Sequence, residues 1–218
     1  MINLHISKLG WLVFIAFFAF GCKPGEALRI GGQDVFSFGA QDGCHFNRNS
    51  YGVRISWKDA TPTTMIIHKS VPKEFDPAIE AAARDWNAGK GRSLISVFRD
   101  DSWEATAASD KKNGIFWMQE WDEDASKEQA RTSTRYDLSR IVDTDIRINA
   151  KNFVYYLDVQ KLNSNNEVHL ESLLVHEFGH ALGLQHFNES GVMLPTLKGG
   201  IARNVPSLYE LKELGCEY

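Results

Sequence analysis

Residues 176–186 read His-Glu-Phe-Gly-His-Ala-Leu-Gly-Leu-Gln-His, so three imidazoles and one carboxylate share a single short stretch. Histidines four apart on an α-helix lie about 6 Å apart along the axis and on one face. His176 and His180 can therefore grip one metal ion. Glu177 sits one residue on, where its carboxylate can reach a water at the metal without being a ligand itself. Gly183 is the expected helix break, because glycine takes positive φ at little cost. Beyond it the chain can turn back and bring in His186 as a third ligand. Three protein ligands leave a fourth position for water, the pattern of a catalytic rather than a structural zinc site. The glycine and third histidine at fixed spacing make the pattern far more specific than a lone His-Glu-x-x-His. The bland alternative is a helix whose histidines are merely packed or solvated.

Positioning these groups requires a helix and something for it to pack on. Leu170, Leu174, Phe178, Ala181 and Leu182 can form a core face, leaving the histidine pair on another. Ser164-Asn165-Asn166-Glu167 matches a capping box, so the helix is expected to start there. His169 is read as a surface histidine, because it lies about 10 Å from His176 along such a helix. Upstream, alternating or β-branched runs predict strands at 53–57, 64–68, 94–98, 115–118, 130–136 and 141–149. A helix is predicted from Asp76 and Pro77, through the apolar stripe Ile79, Ala82, Ala83 and Trp86, to about Gly89. Ser207 and Glu210 form a second capping box, which predicts a short last helix ended by Gly215.

Shortly after the third histidine comes Val192-Met193-Leu194-Pro195. With the long histidine motif before it, this methionine resembles the Met-turn of the metzincin metallopeptidases, and the tetrapeptide is most similar to the matrixin branch. Ala83-Arg84-Asp85-Trp86-Asn87 is also similar to the first helix of matrixins, which carries a Trp at the equivalent place. Two positions depart from the matrixin pattern: Phe187 stands where a serine is usual, and Leu194 where a tyrosine is usual. The resemblance implies an α+β fold over residues 51–218. Its sheet would be a twisted, mixed one of five strands with an antiparallel edge strand, residues 130–136, above the cleft. A zinc helix and a small C-terminal subdomain ending in a helix would complete it. Met193 would form an apolar floor beneath the zinc. The implied activity is that of a zinc endopeptidase, with His176, His180 and His186 as ligands and Glu177 as general base. Matrixins often bind a second zinc and calcium in the loop before the edge strand. No histidine lies between residues 70 and 168, so one zinc is expected. The acidic run Trp121-Asp122-Glu123-Asp124 lacks an EF-hand pattern and is read as a solvated loop, so calcium is not expected.

The chain has 218 residues and a net charge of −4, with 43% hydrophobic and 24% charged residues. That composition suits one globular enzyme-sized domain, and no basic patch points to nucleic acid. Residues 1–22 read as a signal peptide. Lys8 closes a short polar region, Leu9 to Phe20 is apolar, and Ala19-Phe20-Gly21-Cys22 resembles a bacterial lipobox with Cys22 as the lipidated residue. An ordinary secretory signal or an uncleaved anchor are the alternatives. Export to an outer-membrane lipoprotein or to a secreted or periplasmic form follows. Residues 23–50 read as a tether and N-terminal strap. With Cys22 lipidated, Cys44 and Cys216 remain, and an even remainder in an exported protein suggests a disulfide. The rival is Cys44 as an inhibitory thiolate on the zinc, although its flanks do not match the matrixin switch. Protein or peptide substrates, a monomer, and membrane contact only through the lipid are expected. Two other functions stay open: a surface-anchored binding protein without turnover, and a hydrolase of cell-wall peptides.

Overall fold

The computed structural model describes residues 28–30, 33–36, 43–104, 110–158, 167–187 and 191–218. The signal segment 1–22 and its Cys22 lie outside the described residues. Leu28–Ile30 (β1) and Gln33–Phe36 (β2) pair antiparallel. They belong to a unit of residues 1–40, separate from the unit of residues 41–218.

The larger unit is built on a five-stranded sheet in the order β4-β3-β5-β7-β6. Its strands are Thr63–His68 (β3), Ile95–Asp100 (β4), Asn113–Met118 (β5), Ala130–Asp137 (β6) and Arg140–Asn149 (β7). β3, β4, β5 and β7 run parallel, while β6 pairs antiparallel with β7 and forms one edge. The fold is therefore α+β with an antiparallel edge strand, as expected.

Side chains alternate across a strand with a period of two, and the sheet divides accordingly. Met65, Ile67, Ile115, Ile146 and Ile148 face the main core. Ile66 and Phe116 face the other way and make a small second cluster with Trp103. Two helices cover the main face: Asp76–Lys90 (α1) and Leu170–Ala181 (α2). The stripe read from the sequence is what α1 buries: Ala78, Ile79, Ala82, Ala83 and Trp86. It starts one residue before its proline and ends at Gly91 in the left-handed conformation, two residues past the predicted stop. Leu208–Leu214 (α3) starts at the predicted capping box, with the Ser207 hydroxyl accepting from Glu210 N–H and the Glu210 carboxylate from Ser207 N–H.

Three readings are corrected. α2 begins at Leu170, not at a capping box around Ser164–Glu167, because Glu167–His169 (β9) is extended and pairs parallel with Val154–Tyr156 (β8). His169 is consequently the N-cap residue and is 4% exposed rather than on the surface. Its ring lies 2.7 Å from Ser172 Oγ and 3.2 Å from the Leu157 carbonyl oxygen. Residues 53–57 alternate like a strand, yet form only single bridges, Arg48 with Arg54 and Ser56 with Arg140. They are a strap laid across the end of α2, with Ile55 and Trp57 buried against it.

Candidate active site

The C-terminal end of α2 leaves carbonyl groups without helical partners, and each must find a donor. The last turn meets this demand with unusual completeness. Leu182, Leu184 and Gly183 N–H donate to the carbonyls of Phe178, Gly179 and His180 at 2.9, 3.0 and 2.9 Å. Trp57 Nε1 donates to Ala181 O at 2.8 Å, and the Tyr218 hydroxyl to Leu182 O at 2.6 Å. Gly183 has φ +100°, and a Cβ there would lie 2.4 Å from Ile55 O. Only glycine fits between helix and strap, and the chain reverses at the expected position.

That reversal brings the third histidine to the first two. The Nε2 atoms of His176, His180 and His186 lie 3.0 to 3.2 Å from one another. His176 Nδ1 donates to Val192 O at 2.7 Å, and His180 Nδ1 to Leu184 O at 2.9 Å. A neutral imidazole carries one proton, so these bonds leave the two Nε2 atoms as bare lone pairs. Bare lone pairs facing one another repel unless a cation lies between them. Three imidazole nitrogens this close together are a donor set that zinc takes. The donor set therefore fits one zinc ion. Burial, reinforced by His180, pushes the His176 pKa down to about 3, and burial and His180 also lower that of His186. Neutral imidazole is the form that binds a metal.

Glu177 is 4% exposed and lies beneath β6. The Thr132 hydroxyl donates to its Oε2 at 2.5 Å. Burial raises the Glu177 pKa, while the neighbouring His180 ring and the Thr132 hydroxyl oppose the rise. A cleft of roughly 1060 Å³ runs past these groups. Its walls include Ala130 to Thr132, Thr134 and Tyr136 on one side, and Pro195 to Leu197 on the other.

Met193 is fully buried against α2 at Gly179. A Cβ on Gly179 would lie 2.3 Å from Met193 Sδ and 3.1 Å from Trp86 Cζ2. Gly179 is thus the position that lets the methionine approach the helix. Phe187 N–H donates to Met193 O at 3.1 Å, and Met193 N–H to Glu210 Oε1 at 2.7 Å. The turn is therefore tied to the segment carrying His186 and to α3.

Cys44 and Cys216 form a disulfide, with Cα atoms 6.4 Å apart. Beside it, Gln185 N–H donates to His45 O at 2.8 Å, one residue before His186. Among the described residues, Cys44, Glu213 and Cys216 are the second group close enough to converge on a metal, but the disulfide consumes both thiols. In the acidic run, residues 123–125 form a single 3₁₀ turn, and Asp122 pairs with Arg131 on β6.

Thr132, Gly179 and Glu210 are the partners that the motif reading passed over. Thr132 and Thr134 alternate with Arg131, Ser133 and Arg135, a period-two signal that placed two hydroxyls on one face of the edge strand.

The matrixin family model matches residues 49–209 of the chain. No curated protein matches it. Among solved structures, it is similar to high choriolytic enzyme 1, a hatching-enzyme zinc-protease from the medaka fish Oryzias latipes, at 14% identity. That alignment covers 87% of this chain and 97% of the fish chain, with a TM-score of 0.38.

Proposed function

Since the chain belongs to the matrixin family and is a metalloprotease, we propose that it cuts internal peptide bonds of proteins, with Glu177 as the group that moves the proton. His176, His180 and His186 would hold one zinc ion. When bound, zinc supplies Lewis acidity that polarises a carbonyl and lets water ionise near neutral pH. The Glu177 carboxylate takes a proton from the attacking water and delivers it to the amine as the peptide bond breaks. No covalent intermediate with the protein is needed. The free edge of β6 can carry the substrate backbone as an added strand, above α2 and beside Glu177.

The observation that carries this reading is the convergence of three Nε2 atoms within 3.2 Å, two of them stripped of protons by backbone carbonyls. Export with an N-terminal lipid at Cys22 is part of the same proposal. It is supported by the apolar run before Cys22 and by the Cys44–Cys216 bridge, since disulfides persist in oxidising compartments.

The test is a mixed peptide library digested by the purified protein and read by mass spectrometry. Cleavage is expected to stop with a zinc chelator and to return with added zinc. Glu177→Ala is expected to keep its zinc and lose ~10²–10⁴-fold in rate. A zinc-loaded wild type that cuts nothing would favour a binding scaffold without turnover, and cleavage by Glu177→Ala at the wild-type rate would remove the assigned base.

A further inference from the structure

We propose that Thr132 is a positioning residue for the Glu177 carboxylate, holding Oε2 so that Oε1 is the oxygen that takes and returns the proton. The proposal rests on the peptidase reading above. Thr132 lies on β6, opposite Ile146 of β7. Its hydroxyl donates to Glu177 Oε2 at 2.5 Å and lies 3.3 Å from the Glu177 carbonyl oxygen. A hydroxyl has one hydrogen, and the shorter, charge-assisted contact takes it.

Three features make this more than a packing contact. A β-branched side chain is stiff about χ1, so the hydroxyl direction is set by the strand. Around Thr132 the strand is held in unbroken register with β7, from Ala130 opposite Ile148 to Arg135 opposite Asp143. And Glu177 belongs to a different element, so this bond fixes the base relative to the sheet edge rather than to its own helix. The edge that would receive the substrate backbone thus also aims the base.

Water loses a proton to Glu177 Oε1, its oxygen bonds to the carbonyl carbon, the carbon–nitrogen bond breaks, and the proton passes from Oε1 to the leaving nitrogen. The Thr132 hydrogen stays on its own oxygen throughout. The bond to Oε2 favours the orientation in which Oε1 is the oxygen left for the water, and the Thr132 backbone N–H also faces the carboxylate.

The experiment compares zinc-loaded wild type, Thr132→Val, Thr132→Ser and Glu177→Gln on one cleaved peptide. Thr132→Val keeps the shape and removes the hydroxyl. It is expected to lose about 10-fold in kcat, with KM and zinc content close to wild type and a small fall in thermal midpoint from the lost hydrogen bond. Thr132→Ser, which retains the hydroxyl, is expected to recover most of that loss. A second readout needs neither zinc nor turnover. In the metal-free wild type, a slowly exchanging, downfield hydroxyl proton should be assignable to Thr132 by NMR, and it should be lost in Glu177→Ala. Wild-type kcat in Thr132→Val, or a loss in it confined to KM or zinc content, overturns the positioning role. Should Thr132→Val not fold, absence of the protected hydroxyl proton overturns it alone. Inactive Glu177→Gln beside a fully active Thr132→Val would sink this proposal and leave the peptidase reading standing. Active Glu177→Gln would sink both.

Discussion

Glu210 on the last helix accepts the backbone N–H of Met193 at 2.7 Å through Oε1, while its Oε2 accepts Ser207 N–H at 2.7 Å. One buried carboxylate therefore caps its own helix and holds the turn whose Val192 carbonyl accepts from His176. Gly191 passes so close that a Cβ there would lie 2.5 Å from Glu210 Oε1. Glu210→Ala strands the buried Met193 N–H, at a cost of about 1–3 kcal/mol, and removes the acceptor of the part-buried Ser207 N–H, at about 1 kcal/mol. It is expected to lower the unfolding free energy by about 2–4 kcal/mol in urea titrations, and to weaken zinc binding, because the Val192 carbonyl that orients His176 belongs to the same turn. Unchanged stability would show that water replaces the carboxylate freely.

Gly179→Ala tests the floor of the site. The added methyl meets the sulfur of Met193, and overpacking of this kind costs about 1–3 kcal/mol. The expected result is a loss of that size in the single variant, partly recovered in the double variant with Met193→Val. Simple additivity of the two changes would mean that they do not share space.

Removing the metal should leave the fold weaker as well as inactive. The three Nε2 atoms would lie 3.0 to 3.2 Å apart with nothing between them. Elemental analysis is expected to give one zinc per chain, and a chelator is expected to lower the thermal midpoint. In His180→Ala, the chelator-dependent shift should shrink or vanish. A midpoint that ignores both zinc and chelator would contradict the assigned ligand set.

Asp145 on β7 gives a pH dependence away from the metal. Burial lifts its pKa to about 7, Asp143 and Asp110 add to the rise, and the Gly114 N–H opposes it. The folded state thus prefers the protonated form. Its contribution is complete below the ordinary carboxylate range near 3.8 and is lost as pH climbs through about 7. Stability in urea is expected to decline between pH 4 and about 7.5, and Asp145→Asn, which can still accept from Gly114, should flatten that slope. An identical slope in the variant would assign the decline to other groups.

How far the chain could be read in advance depended on how local each cause was. The histidine spacing, the break at Gly183, the α1 stripe and the Ser207–Glu210 cap follow from neighbours a few residues apart, so they were visible. The start of α2 was misread because Glu167–His169 pairs with β8, a partner that no local cap can reveal. In residues 53–57, Ile55 and Trp57 are buried against α2 while Arg54 and Ser56 bond to Glu217, and that alternation looks the same in sequence as a strand on a sheet. Burial of His169, the reach of Thr132 to Glu177 and the second oxygen of Glu210 all depend on which elements meet in space.

The hydrogen bond from Gln185 N–H to His45 O has a temporal meaning. His176 and His180 come together as soon as one helix forms. His186 is placed only when the strap before Ile55 and the C-terminal segment around Cys216 have closed on the end of that helix. Such distant contacts carry the largest loop-closure cost and belong to the late part of folding. A half-folded chain therefore carries an incomplete ligand set. In refolding, His186 is therefore expected to join His176 and His180 only after helix α2 has formed.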